Sequence, residues 1–218
     1  MGAAPSLAPA LRAVHADIAR YYTQKVLMHG ASARGVDWTC EPTQELRFVQ
    51  LLKLCDVRQA FSLNDVGCGY GALLNFLARR HRGLKLDYLG TDLSQAMIDQ
   101  ARPPVRPSFH ASFLATATIP RVADYSVASG IFNVRLQQPD DVWAAFIAKT
   151  LDHMHAASRL GFAVNFLAPA GPGMDTIAEL YRVSPEVWMR YCERAFGADV
   201  ELVDAYGMRE FTLLVRRR

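Results

Sequence analysis

Asn64-Asp65-Val66-Gly67-Cys68-Gly69-Tyr70-Gly71 is the stretch on which the fold turns. A predicted strand over 62–66 leads into it and a helical pattern starting near Ala72 follows, so the glycines occupy a turn between a strand and a helix. Glycine in such a turn lets backbone approach a ligand closely. The spacing here is G-x-G-x-G, whereas the loop that sets a dinucleotide pyrophosphate on a helix N-terminus reads G-x-G-x-x-G; a ligand without phosphate suits this turn better. The next strand ends in Tyr88-Leu89-Gly90-Thr91-Asp92 and brings a carboxylate to the same edge of the sheet, where it can accept hydrogen bonds from both hydroxyls of a ribose. Together the two features point to a nucleoside-containing ligand.

Downstream, strand and helix alternate, the mark of a parallel sheet covered on both faces. Strands are predicted at 62–66, 87–91, 108–113, 124–129 and 161–167, with helices in most of the intervals. The clearest helix spans 140–155, where Trp143, Phe146, Ile147, Thr150, Leu151 and Met154 make one face at 3.6-residue spacing. Segments 200–206 and 210–215 lie too close for a crossover helix and must pair as an antiparallel hairpin. The predicted fold is therefore α/β, a doubly wound, mostly parallel seven-stranded sheet ending in an antiparallel hairpin. Upstream of Phe61 two helices are predicted, one on Leu11, Val14, Ile18, Tyr21 and Tyr22, the other on Phe48, Leu51, Leu52 and Cys55, with Pro42 suited to a helix start. A loop bearing Gly30 and Gly35 joins them. This divides the chain into a helical cap or lid over 1–60 and a core over 61–218.

Asp65 through Gly71 resembles the first motif of the class I S-adenosylmethionine-dependent methyltransferases, and Gly90-Thr91-Asp92-Leu93-Ser94 followed by Met97 resembles their second. The closing hairpin is similar to theirs too, which makes the expected architecture the Rossmann-like methyltransferase fold. The resemblance implies that Gly67, Cys68, Gly69 and Gly71 line the methionine and ribose portion of the cofactor, that Asp65 orients the loop and receives the ammonium through backbone or water, and that Asp92 with Leu93 holds the ribose. In the family an acidic residue after the third strand meets the adenine amino group. Here the run is Phe109-His110-Ala111-Ser112-Phe113, and Ser112 is the expected substitute, a weaker one because it carries no charge. Ser129, at the end of the fourth strand, completes the expected cofactor set, and with Asn133 and Asn165 it can equally turn toward a polar acceptor or cap a strand end.

The N-terminal segment resembles the helical cap of many small-molecule methyltransferases. Gln44 and Arg47 share one helical face, Arg47 could hold the methionine carboxylate bidentately, and Trp38 or Tyr22 could close over the sulfonium by cation–π attraction. Plain packing of these aromatics on the core is the alternative. For a general base the candidates are His110, after the third strand, and His29, in the lid; an ordinary surface or core histidine is the competing reading of both. The run Pro169-Ala170-Gly171-Pro172-Gly173-Met174 should overhang the acceptor side.

Ser129-Gly130-Ile131-Phe132-Asn133-Val134 lacks the polar residue, two prolines and aromatic found in enzymes that methylate nucleobase or glutamine amides, and lacks the aspartate of metal-assisted catechol enzymes. His153 and His155 stand two apart on a helix and diverge, so no metal site is expected. Cys40, Cys55, Cys68 and Cys192 form no C-x-x-C pair, which indicates free thiols. With 218 residues, 51% apolar and 21% charged, the chain suits one α/β domain plus a modest extension. No apolar run reaches the roughly 18–20 residues of a membrane span and no secretory signal opens the chain, so a cytoplasmic location is expected. The net charge of +3 is concentrated only at Arg216, Arg217 and Arg218, an expected solvated tail and weak support for nucleic acid. The expected function is metal-independent transfer of methyl from S-adenosylmethionine, leaving S-adenosylhomocysteine, to an O or N atom of a small molecule. The alternatives are a nucleic-acid or protein methyltransferase, or a non-catalytic scaffold that keeps the fold.

Overall fold

The computed structural model describes residues 7–102, 108–171 and 177–218. Seven strands, β1 Phe61–Val66, β2 Leu86–Asp92, β3 Phe109–Ala115, β4 Ala123–Ala128, β5 Ser158–Leu167, β6 Asp199–Val203 and β7 Glu210–Arg216, form one sheet in the order β3-β2-β1-β4-β5-β7-β6. Strands β1 to β5 pair in parallel; β7 is antiparallel to both β5 and β6. The chain winds outward from β1 to β3 and then returns to β4 on the other side of β1. That reversal opens a crevice at the carboxyl ends of β1 and β4, where ligands of open α/β sheets bind. The predicted architecture is the observed one. Its largest boundary errors are β3, which runs on to Ala115 because its pairing with β2 continues through Asp92↔Ala115, β5, which begins earlier at Ser158, and β6, which ends at Val203.

The helices are α1 Leu7–His29, α2 Glu41–Leu51, α3 Ala72–Arg80, α4 Gln95–Gln100, α5 Asp140–Ala156 and α6 Pro185–Phe196. Two-residue alternation along the strands sorts side chains to the two faces. Phe162, Val164, Phe166, Phe211, Leu213 and Val215 point toward α1, α5 and α6, while Ala163 and Leu214 point toward α2 and α3. Val14 and Ile18 of α1 are buried with Trp143, Phe146 and Ile147 of α5, and burying each such side chain is worth about 1.5–3 kcal/mol. Phe48 and Leu51 of α2 join Phe76 and Leu77 of α3 beneath the other face. The helices before Phe61 thus share the core of the sheet instead of forming one of their own.

Two connections shape the edge of the crevice. Residues 30–40 carry a 3-10 turn, Ala33–Val36, whose Gly35 N–H donates to Ser32 Oγ, and Asp37 clamps the turn to α1 by accepting from Tyr21 Oη at 2.5 Å and Lys25 Nζ at 2.6 Å. Between β3 and β4 there is no helix. Arg121 fastens that stretch instead, donating to Asp87 Oδ1 at 2.7 Å, Asn64 Oδ1 at 3.1 Å and the Leu63 carbonyl at 3.1 Å. Among the described residues no helix is long and apolar enough to cross a membrane. The C-terminal arginines are not a free tail: Arg216 pairs with Glu201, Arg218 with Asp199, and Arg217 donates to the Ser158 carbonyl.

Candidate active site

Gly67 and Gly69 of the β1–α3 turn adopt φ of +71° and +54°, the left-handed region that L side chains seldom enter. Space is as restrictive as torsion, since a Cβ at Gly67 would lie 2.2 Å from Ile131 Cγ2. The Gly67 and Cys68 N–H groups both donate to the Thr91 carbonyl, at 2.7 and 2.9 Å, and so tie the turn to the end of β2. Asp92 stands beside it. Its Oδ2 accepts from Gly69 N at 2.9 Å and its Oδ1 from Ser94 N at 2.8 Å, which leaves each oxygen a lone pair. Burial raises the Asp92 carboxyl above its usual range, against the pull of these backbone donors. Asp65, 3% exposed, accepts from Tyr88 Oη at 2.5 Å; burial lifts its carboxyl to about 7, with the Tyr88 bond opposing and the Asp92 charge adding.

These groups wall one cavity, about 1110 Å³ of empty space when the part continuous with solvent is counted. Of the residues expected to bind the cofactor, Asp65, Gly67, Cys68, Gly69, Asp92, Leu93, Ser129 and Trp38 line it. Ser129 Oγ is buried there with no hydrogen-bond partner. Over the opening lie Val36, Trp38 and Gln44, the last accepting from Tyr70 Oη at 3.1 Å.

Other predicted residues fall elsewhere. Gly71 sits behind the wall as the N-cap of α3, at φ +82°. Ser112 is exposed in mid β3, paired in register with Leu89; because β3 extends to Ala115, the residues that reach the cavity after it are Thr116, Ala117, Thr118 and Ile119. His110 is exposed on β3 opposite Asp87, and His29 is exposed at the last position of α1, so neither candidate base reaches the cavity. Arg47 is not on the wall either. Its Nε donates to Glu210 Oε2 at 2.7 Å, its Nη2 to Glu210 Oε1 and its Nη1 to the Thr43 carbonyl at 2.7 Å, while the guanidinium lies 3.7 Å over the Trp38 ring. The bidentate edge expected for a methionine carboxylate is taken up by a protein carboxylate, and the cation on Trp38 is Arg47. Asn165 belongs to the same chain of contacts: Nδ2 donates to Glu210 at 3.3 Å and Oδ1 accepts from Gly130 N at 2.7 Å. Gly130 in turn lies under Trp38, whose Cζ2 would be 2.2 Å from a Cβ there. Asn133 is buried with neither amide atom paired and does not line the cavity. Of the run after β5, Pro172, Gly173 and Met174 lie outside the described residues.

Two further wall residues are His15 of α1, which the sequence reading passed over, and His153 of α5, which it weighed only as a metal ligand. Each is signposted by helical spacing, His15 with Ile18 and Tyr22, His153 with Phe146 and Thr150, all six of which line the same cavity. Nothing local says that the two stripes meet.

A methyltransferase-domain family matches residues 64–157. Rv1506c of Mycobacterium tuberculosis, a proposed methyltransferase, is 43% identical over 166 residues, covering 76% of this chain and 99% of that protein. The chain belongs to the class I S-adenosylmethionine-dependent methyltransferases. The methyltransferase shares its fold with the N-methyltransferase NodS from Bradyrhizobium japonicum WM9, at a TM-score of 0.57 and 18% identity over 81% of this chain and 97% of that one. It shares it also with magnesium protoporphyrin IX methyltransferase from Synechocystis PCC 6803 with bound S-adenosylmethionine, at a TM-score of 0.53 and 13% identity over 100% of this chain and 86% of that one.

Proposed function

We propose that the enzyme transfers the methyl group of S-adenosylmethionine to an O or N atom of a small molecule held in the same cavity, without a metal ion, in the cytoplasm. The observation that carries this reading is the set of polar groups left facing the cavity. Asp92 accepts from backbone N–H groups alone, with no cation beside it, and Asp65 is a buried carboxylate with no cation. This set fits the cofactor: Asp92 holds the ribose, Gly67, Cys68 and Gly69 give backbone contact to the methionine portion, and Asp65 meets the ammonium. Thr116 to Thr118 border the adenine in the place expected of Ser112. When bound, S-adenosylmethionine supplies a methyl group made electrophilic by its sulfonium.

The chain's own contribution is position and exclusion of water. Trp38, held between the Arg47 guanidinium and the Gly130 backbone, covers the cavity beside the carboxyl end of β4. Walls contributed by α1 and α5 favour a small acceptor over a polymer, which needs an open groove with phosphate- or chain-binding groups. No group of three or more His, Cys, Asp or Glu among the described residues could hold a metal. Incubation with methyl-labelled cofactor and separated metabolite, RNA and protein fractions tests the reading: label should appear in the metabolite fraction, and label confined to RNA or protein would overturn it.

A further inference from the structure

In the pairing of β1 with β2, Tyr88 lies opposite Leu63 and Gly90 opposite Asp65, so two-residue alternation sets all four on one face of the sheet. Gly90 brings no side chain to Asp65, and there is no room for one: a Cβ there would lie 2.7 Å from Phe113 Cδ1 and 2.8 Å from Cys68 Sγ. The residue of β2 that reaches Asp65 is Tyr88, whose phenol spans the diagonal. Its Oη donates to Asp65 Oδ2 at 2.5 Å, with Tyr88 0% and Asp65 3% exposed. The Tyr88 ring is fixed by Phe113, edge-on at 5.7 Å between centroids, and lies in the core with Leu63 and Phe109. Asp65 Oδ1 accepts no hydrogen bond among the described residues, and Asp65 lines the cavity.

We propose that Tyr88 is a positioning residue for cofactor binding: its phenol ties down one oxygen of Asp65 so that the other meets the cofactor ammonium as a carboxylate. The proposal rests on the cofactor assignment above. Tyr88 does not line the cavity, so it acts through Asp65 alone.

A carboxylate this deep stays charged only through the groups that face it. From β2 these are Tyr88 and Asp92, and from the glycine turn Cys68. Burial raises the Asp65 carboxyl most; the Tyr88 hydrogen bond lowers it and the Asp92 charge raises it, which leaves it at about 7. Cys68 brings no charge, because burial and the charges of Asp65 and Asp92 push its thiol well above the ordinary value. The Tyr88 phenol is likewise pushed well above its ordinary value, by burial and by the Asp65 charge, so it keeps its proton and remains a donor whenever Asp65 is ionised. Without that donor the acid form of Asp65 would prevail at neutral pH, and a neutral acid offers an ammonium no counter-charge.

Carbon-13 NMR of protein labelled at the aspartate carboxyls and at tyrosine Cζ tests the pair before any ligand is added. The Asp65 signal, assigned by its loss in Asp65→Asn, should titrate near pH 7 in wild type, and the Tyr88 Cζ signal should move with the same midpoint. In Tyr88→Phe the Asp65 midpoint should rise by about one to two pH units, as for losing a hydrogen bond to a charged group. Calorimetry with S-adenosylhomocysteine should then find the variant about tenfold weaker than wild type at pH 6 but within about twofold at pH 9. The proton released on binding at pH 7 should rise from about one half toward one. A purely structural role for Tyr88 would weaken binding by the same factor at every pH. That result, or an Asp65 midpoint unmoved by Tyr88→Phe, or a wild-type Tyr88 signal that ignores the Asp65 titration, overturns the proposal and leaves the cofactor assignment standing. The last of these uses wild type alone, so it stands even if Tyr88→Phe does not fold. Failure of S-adenosylhomocysteine to bind wild type would overturn the cofactor assignment, and the proposal with it.

Discussion

Asp65 is buried and Asp92 half-buried, and of the two only Asp92 accepts from backbone N–H donors. If Asp92 holds two ribose hydroxyls, Asp92→Ala should weaken S-adenosylhomocysteine binding by about 2–4 kcal/mol, the loss of two charge-assisted hydrogen bonds, as calorimetry on a folded variant would read it. Asp65 makes a prediction in pH. With its carboxyl lifted to about 7 in the free protein, it must give up a proton when a cofactor ammonium arrives and stabilises the charged form. Binding should release a proton below that pH, and affinity should fall about tenfold for each further pH unit of acidification. Calorimetry in two buffers of different ionisation heat measures the proton directly. Asp65→Asn should abolish this release, and a wild-type affinity flat from about pH 5 to about pH 8 would show that Asp65 does not meet the ammonium.

At the scale of elements, the contact from α2 to β7 decides how the cap sits. Arg47 and Glu210 are 163 positions apart, both about 5% exposed, and Glu210 passes the contact through Asn165 to Gly130 at the end of β4. Removing one partner leaves the other charge buried. Arg47→Ala should therefore lower stability by about 3–5 kcal/mol in a denaturant titration, and the joint replacement Arg47→Met with Glu210→Leu should cost much less. The same chain of contacts holds Trp38 on the cavity wall, and if residues 30–38 act as the expected lid, ligand should order them. Their amide hydrogen exchange should slow when S-adenosylhomocysteine binds; equal exchange with and without ligand would make them plain packing. Glu210 opens an otherwise apolar strand, Glu210-Phe211-Thr212-Leu213-Leu214-Val215, and that anomaly was visible in the sequence, but its partner was not.

Over the whole molecule, the enzyme is expected to work without a divalent ion: turnover should survive treatment with a chelator, and activity lost to chelation and restored by magnesium or zinc would contradict the proposed mechanism. The sequence by itself determined the order of elements, the hinge of the fold at Gly67 and Gly69, and the acid at Asp92, because these depend on spacing of a few residues: glycine torsion, two- and 3.6-residue periodicity, and the carboxyl end of a strand. It placed the adenine border at Ser112 because strand length is set by pairing, and β3 follows β2 to Asp92↔Ala115 whatever its own propensity. It named His110 and His29 as bases, weighed His153 only as a metal ligand and passed over His15, although all four were equally plain as letters. Which histidines face a common space depends on α1 lying against α5, a packing fixed by apolar stripes from opposite ends of the chain. Arg47 looked available for a carboxylate ligand for the same reason. A buried guanidinium takes whichever carboxylate the fold brings within reach, and only the tertiary structure brings Glu210 there.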